Sequence, residues 1–244
     1  MKTFKHSGDL GDIIYSLPAV RKLGGGVLLL DITGGADEPI CRQQCIDERT
    51  KFNRDGFEFI APLLRDQEYL KDVAVWNGEA VDYNLNRFRQ KLIDPNARSK
   101  TRNLLDLYLD AFGLPVHDPD EGWLTCGEPI HLDRKVAVSR SPRMQSNFPW
   151  FVVRKRYFRD QGVFIGLPKE HELFEYTFDT TIPHHPTKDA LEMARVISGC
   201  ELFVGNSTFA LAVAIALGHV SIVQELEPHF PTTHFEGKTN MKYI

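Results

Sequence analysis

Cysteines are scarce in this 244-residue sequence, which has four, at positions 41, 45, 126 and 200. So few and so scattered thiols do not form a disulfide framework, and reduced cysteines are the expected state. Cys41 and Cys45 are separated by three intervening residues, but no Cys or His partner follows at the spacing of a zinc finger. We therefore predict no disulfide scaffold and no metal site.

The sequence also lacks a long hydrophobic run and a large excess of charge of either sign. Its most apolar stretch, residues 209–217, is too short to cross a bilayer, and residues 1–6 lack the apolar segment of a signal peptide. The net charge of −4 gives no general reason to expect nucleic acid or an anionic membrane as partner. Apolar content of 42% and charged content of 25% are ordinary for a globular protein, so a cytoplasmic protein without a membrane span is expected.

The N-terminal part of the sequence has the pattern of a strand–helix–strand unit. A short strand over residues 3–6 is followed by Ile13, Leu17 and Val20 at helical spacing, which predicts a helix over residues 12–23. Glycines at 24–26 end this helix. The apolar run that follows, residues 27–31, is typical of a parallel strand covered on both faces.

Further segments predict two α/β lobes. Residues 34–55 are predicted as loop, 57–70 as helix, 73–76 as strand, 82–92 as a surface loop with a short helix, and 103–112 as helix. Residues 116–128, rich in Asp, Gly and Pro, are the predicted boundary, and four apolar segments with two helices, at 188–198 and 208–217, follow it. The sequence thus predicts an α/β fold of two Rossmann-like lobes, residues 1–128 and 129–244, with a ligand cleft between them.

Two glycine-containing turns, one near each end of the sequence, follow a strand and precede a helix. The first begins at Ser7 and the second at Gly205. Backbone N–H groups at such helix starts can face an anionic ligand. In the second turn, Asn206, Ser207 and Thr208 are candidate contacts for a diphosphate, with N-capping of the following helix as the alternative role.

Both turns resemble motifs of the heptosyltransferase-like glycosyltransferases of family 9, which have two Rossmann-like lobes in the GT-B arrangement. The first family motif, Gly-Asp-x-x-x-x-x-Pro, stands here as residues 11–18, Gly-Asp-Ile-Ile-Tyr-Ser-Leu-Pro. The second is a helix, an apolar strand ending in Val-Gly, a polar turn and a small-residue helix ending in Leu-Gly. That motif runs here from Leu191 through Val204 and Gly205 to Leu217 and Gly218.

The resemblance implies that Asp12 is a general base, which deprotonates an acceptor hydroxyl while a sugar is displaced with inversion. Gly8, Asp9 and Gly11 would form the acceptor-side loop around it. Asp9 is the alternative base, and capping of the first helix is the alternative role of Asp12. His6, at the end of the preceding strand, is interpreted as a packed residue.

The resemblance also implies where a nucleotide-sugar donor binds, as a co-substrate and without a cofactor. Related enzymes place a basic residue after the first strand of the second lobe, a place that Arg140 or Arg143 fits. Glu170 lies where such enzymes contact the nucleotide, with a solvated loop as the alternative. Glu225, after the last apolar segment, is a further candidate for a ribose or sugar hydroxyl.

Six basic and no acidic residues lie between Arg140 and Arg159, with aromatic residues interleaved. This pattern is compatible with a nucleic-acid surface, which is not the favoured interpretation, or with a solvated helix face over an aromatic core.

The sequence departs from the family in the second turn, where the usual acidic residue, Gly and His are replaced by Ser207, Phe209 and Ala212. We expect a glycosyltransferase that moves a sugar from a nucleotide-diphosphate-sugar to an unidentified hydroxyl. A non-catalytic nucleotide or nucleotide-sugar binding protein, a nucleic-acid-modifying transferase and an epimerase remain open.

Overall fold

The computed structural model describes residues 1–33, 52–92, 103–142, 150–226, 233–235 and 237–243. The chain divides into two compact units, the first comprising Met1–Lys100 with Leu104–His117 and the second Thr101–Asn103 with Asp118–Ile244. This division falls inside the stretch 116–128 that the sequence indicates as a boundary, and the domain limits at 128 and 129 stay a prediction. Within the described ranges, no helix is both long enough and apolar enough to span a membrane.

The first unit is a parallel four-stranded sheet with helices between its strands. Its elements are β1 (Thr3–His6), α1 (Leu10–Lys22), β2 (Gly26–Leu30), α2 (Arg54–Arg65), β3 (Leu70–Val75), β4 (Tyr83–Asn84), α3 (Phe88–Leu92) and α4 (Leu104–Ala111). The strand order is β3-β2-β1-β4, and every pairing is parallel. The βαβ unit predicted from the first thirty residues is confirmed.

The turn from α1 into β2 requires glycine at two successive positions. Gly25 and Gly26 have φ of 68° and 151°, values that side-chain-bearing residues rarely adopt. A Cβ on Gly25 would collide with the carbonyl of Tyr69, and one on Gly26 with the carbonyl of Lys2. The turn therefore packs directly against its neighbours at the start of β2, where the register of the β2–β3 pairing shifts between Gly26 and Val27.

A buried ion pair joins β1 to the end of β2. Lys5 Nζ lies 3.0 Å from Asp31 Oδ2 and 3.2 Å from the centroid of the Trp76 ring. Burial would raise the pKa of Asp31, but hydrogen bonds from Thr33 and Lys5 outweigh it and hold that pKa below its usual value. Because an unpaired buried charge is costly, these two strands are held together by charge as well as by backbone hydrogen bonds.

The second unit is a parallel five-stranded sheet. Its elements are β5 (Val136–Ser139), α5 (Trp150–Val153), β6 (Gly162–Phe164), α6 (Pro168–Phe178), α7 (Ala190–Ser198), β7 (Leu202–Gly205), α8 (Phe209–Leu217), β8 (Ser221–Gln224) and β9 (Met241–Tyr243). A π-helical segment, Arg154–Phe158, and a 3₁₀ turn, Arg159–Gln161, continue α5. The strand order is β6-β5-β7-β8-β9, again parallel throughout.

The predicted apolar helix near the C-terminal end is α8. Its residues from Ala210 to Leu217 are all buried, as expected for a helix without a polar face. Gly218, with φ of 81°, ends it in a left-handed cap.

Sequence patterns missed two strands and shifted some element ends. β4 and β9 have only two and three residues, and their partly polar sequences give no apolar run to recognise. Helix α1 starts at Leu10 rather than at residue 12, and the helix predicted over 57–70 occupies Arg54–Arg65.

Each sheet has one place where the chain's direction of winding reverses. In the first unit it lies between β1 and β4, and in the second between β5 and β7. Doubly wound sheets bind ligands outside the carboxyl ends of the strands at such reversals. We call the carboxyl ends of the strands beside these two reversals the first and the second carboxyl edge. Most of the residues singled out by the sequence lie at one of them.

Candidate functional site

The first carboxyl edge is tied together by an asparagine. Asn86, just after β4, accepts a hydrogen bond from the Ser7 N–H (3.2 Å) and donates its side-chain amide to Ser7 Oγ (2.7 Å). Ser7 follows β1 directly, so these two bonds join the segments on either side of the reversal. The glycine-containing turn that follows therefore starts from a fixed position.

Asp12 lies in the first turn of α1, beside this edge. The N-cap of the helix is Asp9, whose backbone is extended and whose side chain makes no capping hydrogen bond. Asp12 is partly exposed, whereas the helix from Ile13 to Val20 is buried. A carboxylate in the first helical turn is favoured by the helix dipole, so its position is electrostatically stable.

Gly8 is required at this edge because three side chains crowd it. A Cβ on Gly8 would lie 2.7 Å from His6 Cε1, 3.0 Å from Arg89 Nη2 and 3.0 Å from Asp12 Oδ2. The Asp12 carboxylate and the Arg89 guanidinium thus border the same point. Any larger residue would displace one of them, so Gly8 keeps the carboxylate and the cation together.

Sequence reasoning missed Arg89, which lies in the segment predicted as a surface loop with a short helix. The structure buries this side chain, 6% exposed, on α3, with its guanidinium carbon 5.1 Å from the Phe88 ring centroid. The Phe88 ring stacks on Tyr108 of α4 at 4.2 Å, which holds α3 against the unit. No local pattern distinguishes Arg89 from the neighbouring basic residues, because its guanidinium lies beside the Gly8 turn, which is distant in the sequence.

His6 is fully buried and held in one tautomer. Its Nδ1 accepts the Gly8 N–H at 2.9 Å, so its Nε2 bears the proton and donates it to Tyr108 Oη at 2.6 Å. Burial and, to a smaller extent, the Arg89 charge lower the pKa of His6 from 6.5 to about 3. His6 is therefore a neutral scaffold for the Gly8 turn, in line with its interpretation as a packed residue.

At the second carboxyl edge, Asn206 joins the segments that follow β5 and β7. Its side-chain oxygen accepts the Ser141 N–H at 3.1 Å, and its side-chain nitrogen donates to the Ser141 carbonyl at 3.0 Å. Asn206 is completely buried. The Asn206 amide thus extends the pairing between β5 and β7 past the ends of these strands. Its contact with a phosphate stays a prediction.

Ser207 and Thr208 bond within the protein at the start of α8. Thr208 Oγ1 accepts the Leu211 N–H at 3.2 Å and so caps the helix, as the alternative interpretation expected. Ser207 Oγ pairs with Thr233 Oγ1 at 2.8 Å. Both residues are only partly buried, so they stay candidates for contact with an anion in front of the helix.

Arg140 and Glu225, two predicted ligand contacts, bond to each other. Arg140 Nε and Nη2 lie 2.7 and 3.1 Å from the two oxygens of Glu225, a bidentate pair, and Trp150 Nε1 donates to Glu225 Oε2 at 2.8 Å. Glu225 is completely buried, and the Arg140 guanidinium packs near the rings of Trp150 and Phe178, at 5.5 and 4.9 Å. A ligand would have to open this pair to reach the Glu225 carboxylate.

The other two candidates fall outside this network. Glu170 accepts the Leu167 N–H at 3.0 Å at the start of α6, and burial raises its pKa although that hydrogen bond opposes the shift. This capping contact gives Glu170 a structural role, and its nucleotide contact stays a prediction. Arg143, like the Cys41–Cys45 pair, lies outside the described residues.

No family model matches the chain, and no curated protein matches its sequence significantly. Among solved structures, the chain is similar to a glycosyl transferase family 9 protein from Veillonella parvula DSM 2008. The TM-score is 0.62 and the identity 14%, over 99% of this chain and 84% of that one.

Two structures of the E. coli heptosyltransferase WaaC are also similar. With ADP-2-deoxy-2-fluoro heptose, the TM-score is 0.48 at 14% identity over 100% of this chain and 93% of that one. With ADP, the TM-score is 0.42 at 13% identity over 92% and 86%. The Veillonella likeness is the one that bears on the fold, and it confirms the α/β, family 9-like architecture predicted from the two turns.

Because His6 is neutral in the folded protein, we expect the free energy of unfolding to depend on pH. Between pH 6.5 and about 3 the unfolded chain binds a proton that the folded protein does not, so the free energy of unfolding should fall as the pH is lowered through this range. The slope due to His6 should approach about 1.4 kcal/mol per pH unit. Denaturant unfolding of wild type and His6→Gln at several pH values measures it. Equal slopes for the two proteins would contradict this assignment.

Loss of the Glu225 carboxylate should destabilise the second unit strongly. Glu225→Gln leaves the Arg140 charge buried without a counter-charge, at an expected cost of about 3 kcal/mol in the free energy of unfolding. The control is Glu201→Gln, which breaks the exposed Lys135–Glu201 pair and should be nearly neutral. Arg140→Met combined with Glu225→Leu should recover much of the loss. Equal effects at the buried and the exposed pair would show that burial does not set the cost.

Proposed function

We propose that the chain is a glycosyltransferase that moves a sugar from a nucleotide-diphosphate-sugar donor to a hydroxyl acceptor, with inversion and without a metal ion. The observation that carries the proposal is the position of Asp12, a partly exposed carboxylate at the first carboxyl edge. The likeness in fold to a family 9 glycosyl transferase supports it. The first unit would bind the acceptor and the second the donor.

Asp12 is the proposed general base. Its carboxylate takes the proton of the acceptor hydroxyl while the hydroxyl oxygen attacks the anomeric carbon of the donor sugar. The new carbon–oxygen bond forms as the bond to the diphosphate oxygen breaks, and that electron pair leaves with the nucleoside diphosphate. Attack from the face opposite the leaving group inverts the anomeric configuration.

The N-terminus of α8 is the proposed site of the departing diphosphate. The helix follows β7 at the second carboxyl edge, where its dipole and first-turn N–H groups favour an anion. Ser207 and Thr208 flank this position. Arg140 is neutralised by Glu225, so Arg143, three positions further along the sequence, is the better candidate for the cation that balances the diphosphate charge.

A binding protein without catalysis is the second candidate function. It is favoured by the composition of the α8 start, where the acidic residue and the His of the resembled motif are replaced by Ser207 and Ala212. Ala212 is fully buried and apolar, so this position provides no titratable group. Such a protein would bind a nucleotide-sugar without turning it over.

Donor binding should appear as thermal stabilisation by one nucleotide class. Wild type is screened against ADP, GDP, UDP, CDP and TDP and their common sugars, because a ligand that binds the folded state raises the melting temperature. Ser207→Ala/Thr208→Val should abolish the ligand-induced rise. This variant also loses a helix cap, which costs about 1 kcal/mol, so Asp189→Ala, which uncaps α7, serves as the control and should keep the rise. If no nucleotide stabilises wild type, the resemblance extends to the fold alone and the proposed donor site is wrong.

Asp12→Asn should lower the rate of sugar transfer by a factor of about 10²–10⁴, because the amide does not accept the hydroxyl proton. The affinity for the donor, measured by the thermal shift, should be unchanged. Asp9→Asn is the matched control, since Asp9 lies three residues away and makes no side-chain cap, and it should keep near-normal activity. Full transfer by Asp12→Asn would disprove the assigned base, and loss in Asp9→Asn alone would move the role to Asp9.

A further inference from the structure

A cavity of about 570 Å³ lies in the second unit, and its lining does not include Asn206 or the residues at the start of α8. One wall is α5 with its π-helical continuation, and the other is the C-terminal part of α6 and the two residues after it. The lining residues are Trp150, Phe151, Arg154, Lys155, Phe158, Arg159, Asp160, Phe174, Phe178, Asp179 and Thr180. We call this space the α5–α6 cavity.

The α5–α6 cavity combines an aromatic floor with a cationic rim. Trp150, Phe158 and Phe174 are almost completely buried beneath it and belong to the apolar core of the unit. Lys155 and Arg159 are exposed at its edge, and Arg154 is half-buried. Two carboxylates, Asp160 and Asp179, also line it, so the cations exceed the anions by one.

Thr180 lines this cavity and has a buried polar atom. The residue is 9% exposed, and its hydroxyl oxygen is buried without a hydrogen-bond partner among the described residues. A buried hydroxyl without a partner is unfavourable, since it has lost its hydrogen bonds to water. A ligand with an acceptor oxygen in the cavity would restore that bond.

The backbone around the cavity is irregular on both walls. The segment Arg154–Phe158 is π-helical, a form that is rare and often found at functional sites. Arg159 has φ of 31° and ψ of −116°, and Asp179 has φ of 43°. A non-glycine residue such as Arg159 keeps this conformation only where its surroundings enforce it. The irregular turn places the Arg159 side chain on the cavity rim.

We infer that the α5–α6 cavity is a second binding site, for a small organic anion with an aromatic or other flat apolar body. The apolar body would lie against the rings of Trp150, Phe158 and Phe174. The anionic group would bind Arg154 and Arg159, and one of its oxygens would accept the Thr180 hydroxyl proton. The lining residues do not include Asp12, Ser207 or Thr208, and Trp150 links the cavity to the second carboxyl edge through its hydrogen bond to Glu225.

A small ligand fits these features better than a nucleic-acid strand. A strand lying across basic side chains would stack its bases on exposed rings and would not need a polar atom at the base of a cavity. Thr180 is buried, and Trp150, Phe158 and Phe174 are at most 3% exposed, too little for bases to stack on them from the surface. Of the exposed rings, Tyr176 at 87% does not line the cavity, and Phe151 at 69% does.

The probe is 8-anilinonaphthalene-1-sulfonate, a flat aromatic anion whose fluorescence rises in an apolar site. Titration of the whole chain, with calorimetry for stoichiometry, should show one site. Arg154→Gln/Arg159→Gln should weaken binding about tenfold or more. Lys169→Gln/Lys188→Gln removes two exposed cations of the same unit, and Tyr176→Ser removes an exposed ring, so both should bind the dye as wild type does.

Thr180→Val separates a ligand contact from a structural role. Because no hydrogen bond of this hydroxyl is lost, the unliganded variant should be as stable as wild type or more so, while the dye binds about tenfold more weakly. Equal dye binding in wild type, Thr180→Val and Arg154→Gln/Arg159→Gln would overturn the inference. Displacement of the dye by a dT20 strand, with an affinity that falls steeply with salt, would make the surface a nucleic-acid site and also overturn it.

Discussion

The buried pair of Arg140 and Glu225 is the contact on which the second carboxyl edge depends. Arg140 follows β5 and Glu225 follows β8, two strands that are separated in the sheet by β7. Removing both charges from water is costly. The bidentate hydrogen bonds and the Trp150 N–H compensate this desolvation cost. Since Trp150 is the first residue of α5, one carboxylate fixes two strand ends and a helix start. The first unit has a smaller counterpart in Lys5 and Asp31, which joins β1 to the end of β2.

The architecture could be predicted from the sequence because it follows from local patterns. The continuous apolar runs at β2, β5 and β7 are the expected signature of parallel strands covered on both faces, and the all-apolar α8 is the signature of a buried helix. Glycine turns and Asp, Gly and Pro clusters marked the element ends. The very short strands β4 and β9 could not be predicted, because two or three partly polar residues do not produce a periodic signal.

The candidate site was only partly predictable, for a physical reason. A residue's type shows what chemistry it can do, and its partner decides what it does. Arg140 and Glu225 were each sensible ligand contacts, but they are 85 positions apart and the fold pairs them with each other. Arg89 looked like a solvated charge, but the fold buries it beside the Gly8 turn, 81 positions earlier in the sequence. Asn206 looked like a phosphate contact, but its amide bonds to Ser141 after β5. The position of Asp12 in the first turn of α1 was predictable because its motif, next to a glycine turn, is itself local, and its role as a base stays a prediction.

The complete burial of α8 has a consequence for the dynamics of the second carboxyl edge. A helix whose residues from Ala210 to Leu217 are all hidden from water exchanges its amide hydrogens only when a large part of the unit opens. The N–H groups at the start of α8 therefore belong to a helix that is expected to open only rarely. An anion that docks there meets donors that are already aligned, and little conformational entropy is lost in ordering them.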